Sequence, residues 1–168
     1  MIIKSWALPL LLASSLLTGC LATVPNVAEN RSVSTEARQS IANGIQNPKI
    51  DTNGFLVTPW VRDAMMSAFA MRAAHLGLRI DPNGVPVTIH ITGVRSRSET
   101  ARILFNFFDG AEWLEGTVSV GGASFAVKED TWLYWPVTGY RSISDVSNAV
   151  GEQVANGIAL VAGMPIKD

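Results

Sequence analysis

The side chains able to do chemistry are few. The chain has one cysteine, Cys20, and two histidines, His75 and His90. A lone cysteine cannot close an intramolecular disulfide, so its thiol needs another use. Two histidines without a second thiol or a close carboxylate cluster make a poor metal site. His75 falls near a predicted helix end, where a cation suits the dipole, and His90 on the polar face of a predicted strand. Asp51-Thr52-Asn53-Gly54 and Asp81-Pro82-Asn83-Gly84 share a D-x-N-G pattern. A calcium loop needs further oxygen ligands and a distal Glu; both stretches lack them and read as turns. Arg95, Arg97 and Arg102 form a basic cluster, a candidate anion contact for phosphate, a lipid headgroup or an acidic partner. A solvated strand end is the plainer reading of the same residues. Neither a G-x-S-x-G elbow nor a G-x-x-x-x-G-K-[ST] loop occurs. No catalytic residue, metal or cofactor is assigned, and an enzyme is not expected.

The surroundings of Cys20 give the thiol a use. Lys4 is the only charged residue ahead of it, and an apolar run from Trp6 to Leu17 comes next. A positive residue and then a short apolar run is the pattern of an export leader. The run falls short of the roughly 20 apolar residues that a bilayer-spanning helix needs. Leu17-Thr18-Gly19-Cys20 comes directly after it. These residues resemble the lipobox of bacterial lipoprotein precursors. The resemblance implies cleavage between Gly19 and Cys20, a diacylglyceryl group on the Cys20 sulfur and acylation of the new amino terminus. Small side chains at Thr18 and Gly19 suit entry into a peptidase cleft. Leu21, where an Asp would favour retention in the inner membrane, implies an outer-membrane location facing the periplasm.

Composition narrows the partners. Of the 168 residues, 48% are hydrophobic and 16% charged, and the net charge is −1. That balance supports a buried core and gives no strong field to draw in nucleic acid. The expected partners are the membrane, through the N-terminal lipid, and an envelope protein.

The elements that must position any site are set by patterning. Residues 1–19 read as the leader and 20–49 as a polar tether, with Pro25 and Pro48 and a short helix capped by Ser34 and carrying Ala37 and Ile41. A single domain over 50–168 comes after it. Phe55 to Val57 reads as a short strand. Thr58 as N-cap and Pro59 at the first position open a helix that Gly77 closes. Its Ala- and Met-rich sequence predicts that most of its surface is buried. Val87, Ile89 and Ile91 alternate with Thr88, His90 and Thr92, the period of a half-buried strand. Simple alternation beyond Ile91 would turn Arg95 and Arg97 into the core, so Gly93 is expected to carry a bulge.

Gly121-Gly122 suits a two-residue hairpin turn. That turn pairs Val120 with Ala123, Val118 with Phe125 and Gly116 with Val127 on one face. Thr117, Ser119, Ser124 and Lys128 fall on the other. From Ile143, residues Val146, Val150, Val154, Ile158 and Val161 recur at helical spacing, behind a capping pair of Ser142 and Asp145. Gly151 and Gly157 each weaken that helix by about 1 kcal/mol, and close packing on the sheet would compensate. The fold class is α+β: a small antiparallel sheet of three to four strands with two helices packed on one face.

Two aromatic stretches have no clear period: Phe105, Phe107, Phe108 and Trp113, then Trp132, Tyr134, Trp135 and Tyr140. They either complete the core or form a partner surface, since aromatics with polar tips suit interfaces. Lipobox, tether and small α+β body together resemble the accessory lipoproteins of bacterial envelopes. The resemblance implies a non-enzymatic interaction module. The alternative is a carrier holding a small apolar or lipidic ligand between helices and sheet.

Overall fold

The computed structural model describes residues 33–96, 111–131 and 142–166. Among these the order is α1 (Thr35–Asn43), β1 (Lys49–Asp51), α2 (Pro59–Leu76), β2 (Val87–Arg95), β3 (Trp113–Val120), β4 (Ala123–Asp130) and α3 (Ile143–Val161). The strands form one open sheet in the order β1-β2-β3-β4, and the fold is α+β.

The β3–β4 hairpin has the register that its turn dictates. Val120 pairs with Ala123, Val118 with Phe125 and Gly116 with Val127. Gly121 and Gly122 have φ of 55° and 83°, the two positive values that a tight primed turn requires. In β2 the pairing with β3 shifts between Ile91 and Gly93. One extra residue there reverses the inward–outward parity of the rest of the strand. Val94 then meets Leu114 on the inner face, and Arg95 meets Trp113 on the outer one.

The sheet is mixed rather than wholly antiparallel. β1 runs parallel to β2, pairing Lys49 with Thr88, Ile50 with Ile89 and Asp51 with His90. Parallel neighbours need a crossover connection, and α2 supplies it. Phe55–Val57 is not a strand. These residues lead straight into α2, and the Arg62 guanidinium donates to the Val57 carbonyl at 3.2 Å in place of a ladder partner.

The packed body also starts ahead of Ile50. Ser34 Oγ accepts from the Ala37 N–H at 3.2 Å to cap α1, and Ile41 and Ile45 are 1% and 0% exposed. The Ile45 N–H donates to Arg79 O at 2.9 Å and its carbonyl accepts from Asp81 N at 2.8 Å. Residues assigned by composition to a tether therefore close one end of the core.

Among the described residues, helices cover one face of the sheet. Val87, Ile89, Ile91, Leu114, Val118, Phe125 and Val127 line that face and join Met65, Phe69, Val150, Val154 and Ile158 in one core. α2 buries one side, through Val61, Met65, Ala68, Phe69, Ala73 and Leu76. Its other side, with Trp60 and Met71, stays exposed, so the expectation of a mostly buried helix does not hold. Alanine and methionine are tolerated on a solvent face, and hydropathy alone does not assign one. Gly77 ends α2 with φ 77°, and the Leu78 N–H folds back to Ala73 O at 2.9 Å.

α3 packs against both α2 and the sheet with almost no space to spare. A Cβ on Gly151 would lie 2.2 Å from the Met65 carbonyl oxygen, and one on Gly157 would lie 2.2 Å from the Phe125 ring. The helix starts where Asp145 Oδ2 accepts from the Ser142 N–H at 2.7 Å and its Oγ at 3.0 Å. Across the two helices, Arg72 Nε donates to Asn156 Oδ1 at 2.8 Å. Gln153 reaches the other way. Its Oε1 accepts from Lys128 N at 3.1 Å, and its Nε2 donates to Lys128 O at 3.1 Å and to Glu129 Oε2 at 2.9 Å.

Candidate interaction surface

Chain direction sorts the molecule into two ends. At one end Arg95, Trp113 and Asp130 lie side by side, where β2 finishes, β3 starts and β4 finishes. At the other are the Gly121-Gly122 turn and the Ile45 bridges to Ile80 and Val85. The C-terminal end of α2 leads into Ile80, so its 18 residues, about 27 Å of helix, place Pro59 at the first end. α3 runs antiparallel to β4, since Gln153 meets Lys128 and Gly157 meets Phe125. Ser142 therefore also belongs to the first end. Segments 97–110 and 132–141 leave and rejoin the described body there, between Ser96 and Ala111 and between Thr131 and Ser142.

That end carries large apolar side chains in the open. Leu56 is 88% exposed, Trp60 43% and Phe55 38%. Asp51 Oδ1 accepts from the Asn53 N–H at 3.0 Å and Thr52 O from the Phe55 N–H at 2.8 Å. Asn53 at φ 49° completes this tight turn, which is nucleated by an Asx side chain. The turn throws Phe55 and Leu56 outward, Val57 returns to the core, and Pro59 starts α2 with Trp60 beside it. The second D-x-N-G stretch is also a turn: Asp81 Oδ1 accepts from the Asn83 N–H at 2.9 Å.

Among the described residues the sheet's outer face is polar, with one indole. Trp113 lies over Gly93, close enough that a Cβ there would stand 2.4 Å from the ring. Beside it Lys128 Nζ lies 3.4 Å from Glu115 Oε2. At the β1 edge His90 Nδ1 lies 3.1 Å from Asp51 Oδ2. The Asn53 N–H, and after it His90, hold the Asp51 carboxyl below its ordinary range. A carboxylate depressed in the folded state stabilises the protein above its unfolded pKa, about 3.9. That contribution disappears as pH falls through the folded value. Asp51→Asn keeps an acceptor for the turn and removes the charge. The variant is expected to unfold at lower urea than the wild type at about pH 6, and the gap is expected to close as pH falls through the folded value of Asp51.

Of the candidate partner-surface and anion-contact residues named from sequence, the described structure holds Arg95 and Trp113. They face each other across β2 and β3, with Arg95 exposed. Arg97, Arg102, Phe105, Phe107, Phe108, Trp132, Tyr134, Trp135 and Tyr140 lie outside the described residues, as do Gly19 and Cys20. His75 sits in the last turn of α2, and His90 points away from the helices, so the sheet separates them. Among the described residues no group of three or more His, Cys, Asp and Glu is placed to hold a metal ion. Phe55, Leu56 and Trp60 escape sequence reasoning as a surface because Phe55–Val57 reads as a strand. Their signal is three large apolar residues within six positions around a helix start. Glu129, 7% exposed on the inner face opposite Leu114, escapes it too. Extending the hairpin register two pairs beyond Val127 places it there.

No protein-family model matches the chain, and no curated protein matches it. Among solved structures, the dodecamer of a PelC variant from Paraburkholderia phytofirmans is similar, with a TM-score of 0.43 and 15% identity over 68% of this chain and 83% of that one.

Proposed function

We propose that this chain is a lipid-anchored protein of the bacterial envelope that works by holding a partner rather than by catalysis. The observation that carries the reading is the placement of its one cysteine, directly after Leu17-Thr18-Gly19 and an apolar leader. Acylation would place the body against the outer membrane, on the periplasmic side. Both aromatic-rich segments join the described body at the same end, between Ser96 and Ala111 and between Thr131 and Ser142, which supports a binding role for that end. Aromatic side chains supply large contact area at low conformational cost and are enriched at interfaces. A carrier would need room between helices and sheet. Phe69, Met65, Ile89, Val118 and Ile158 fill that layer at 0% exposure, which favours the interaction reading.

The test is affinity capture of the full tagged chain from detergent-solubilised envelopes, beside a Phe107→Ser, Trp135→Ser double variant. The expected result is one stoichiometric envelope protein retained by the wild type and lost by the variant. Recovery of nothing, or of the same proteins by both chains, would count against the reading.

A further inference from the structure

We infer that the turn joining β1 to α2 is a membrane-contacting tip, with Phe55, Leu56 and Trp60 seated in the bilayer to which the amino terminus is anchored. The inference rests on the lipid-anchor reading of Cys20. Twelve residues, Leu21–Ser32, separate that cysteine from the described body. Thirteen Cα steps span at most about 43–47 Å. The longest described element is α3, whose 19 residues cover about 28 Å. The anchor can thus reach the bilayer with the tip end of the body facing it, whichever side the chain enters.

The tip has the chemistry of an interfacial contact. Leu56 is the most exposed of the large hydrophobic side chains described, at 88%, and a surface residue of that kind gains most by leaving water. Phe55 flanks it, and Trp60 is the residue type that settles at headgroup level with its N–H in the polar layer. The tight turn at Asn53-Gly54 and the rigid start of α2 at Pro59 hold the three in place, so little ordering cost is added on contact. A lipid-anchored chain samples the bilayer continuously, which raises the effective concentration of even a weak second contact.

The chain's cysteine count makes the test clean. Cys20 is the only thiol, and acylation would consume it, so Leu56→Cys creates one labelling site in the mature lipoprotein. A fluorophore there, and one on Ser124→Cys at the other end, are compared in vesicles of phosphatidylethanolamine and phosphatidylglycerol with a water-soluble quencher. The expected result is one label per chain, with quenching at position 56 reduced about tenfold relative to position 124. Equal quenching at both positions with one label per chain would overturn the tip contact while leaving the anchor intact. Two labels per chain would mean that Cys20 is free, and would overturn both. Protection of position 56 in a Cys20→Ser chain without vesicles would overturn the bilayer contact and assign the patch to a second copy of the chain.

Discussion

Replacing Cys20 with Ser is expected to abolish acylation altogether: wild type takes up labelled palmitate and the variant takes up none. The reason is the chemistry of the position. Thioether formation needs the sulfur nucleophile, and Ser at this position supplies only a hydroxyl, whose pKa is far above that of a thiol. Processing should stop with it, so the variant keeps residues 1–19 and runs as the longer precursor. The physical consequence scales with the number of acyl chains. One chain gives marginal, reversible binding at about 0.8 kcal/mol per buried CH2, and two or three make attachment effectively permanent. Intact mass and palmitate labelling check the result together. A variant that is still shortened and still carries acyl groups would remove the basis of the envelope reading.

The second large effect is predicted at Gly151. A side chain there points at the neighbouring backbone: its Cβ would stand 2.2 Å from the Met65 carbonyl oxygen and 3.0 Å from Phe69 N. Backbone cannot rotate aside as the end of a side chain can, so α2 and α3 must separate along a wholly buried seam. Overpacking of this kind costs about 1–3 kcal/mol and sometimes more, and Gly151→Val should reach the upper end, against a total stability on the order of 5–15 kcal/mol. Its melting temperature is expected to fall by roughly 10 °C. Gly151→Ala separates this cause from helix propensity. In an open helix that change would add about 1 kcal/mol of stability; here it is expected to destabilise. A more stable Ala variant in chemical denaturation would show that the two helices do not approach so closely.

Much of the fold is legible where two local signals agree. The hairpin register is set by Gly121-Gly122 together with the alternation of Val118, Val120, Ala123 and Phe125, because a slip of one residue would turn every apolar side chain outward. The bulge at Gly93 is legible from parity alone, since Arg95 has no place in the core. α3 announces itself by spacing and by its capping pair. What stays hidden depends on distant parts of the chain. β1 is three residues long, and Lys49-Ile50-Asp51 has no period of its own; its parallel pairing is set by β2 and by the crossover through α2. Ile41 and Ile45 are isolated apolar residues in polar surroundings, so composition reads them as tether, while the far turn and Val85 bury them. On α2, Ala and Met occupy both sides, which leaves no contrast from which to infer the buried one. The exposed trio of Phe55, Leu56 and Trp60 is hidden for a related reason, since a hydrophobic run is read as an inward strand until its neighbours are known. Of the candidate surface, the sequence offers Trp113 as an aromatic residue type but not that it lies at the same end of the body as the exposed Phe55 and Trp60.

The grip of Gln153 on Lys128 bears on how copies of this protein share a surface. A terminal strand with bare amides is a template on which another strand can grow, and confinement to a two-dimensional film would multiply such encounters. The carboxamide of Gln153 occupies both ladder groups of Lys128, much as a neighbouring strand would. Crowded molecules are thereby denied that growth point, and the opposite margin of the sheet offers only the three residues of β1.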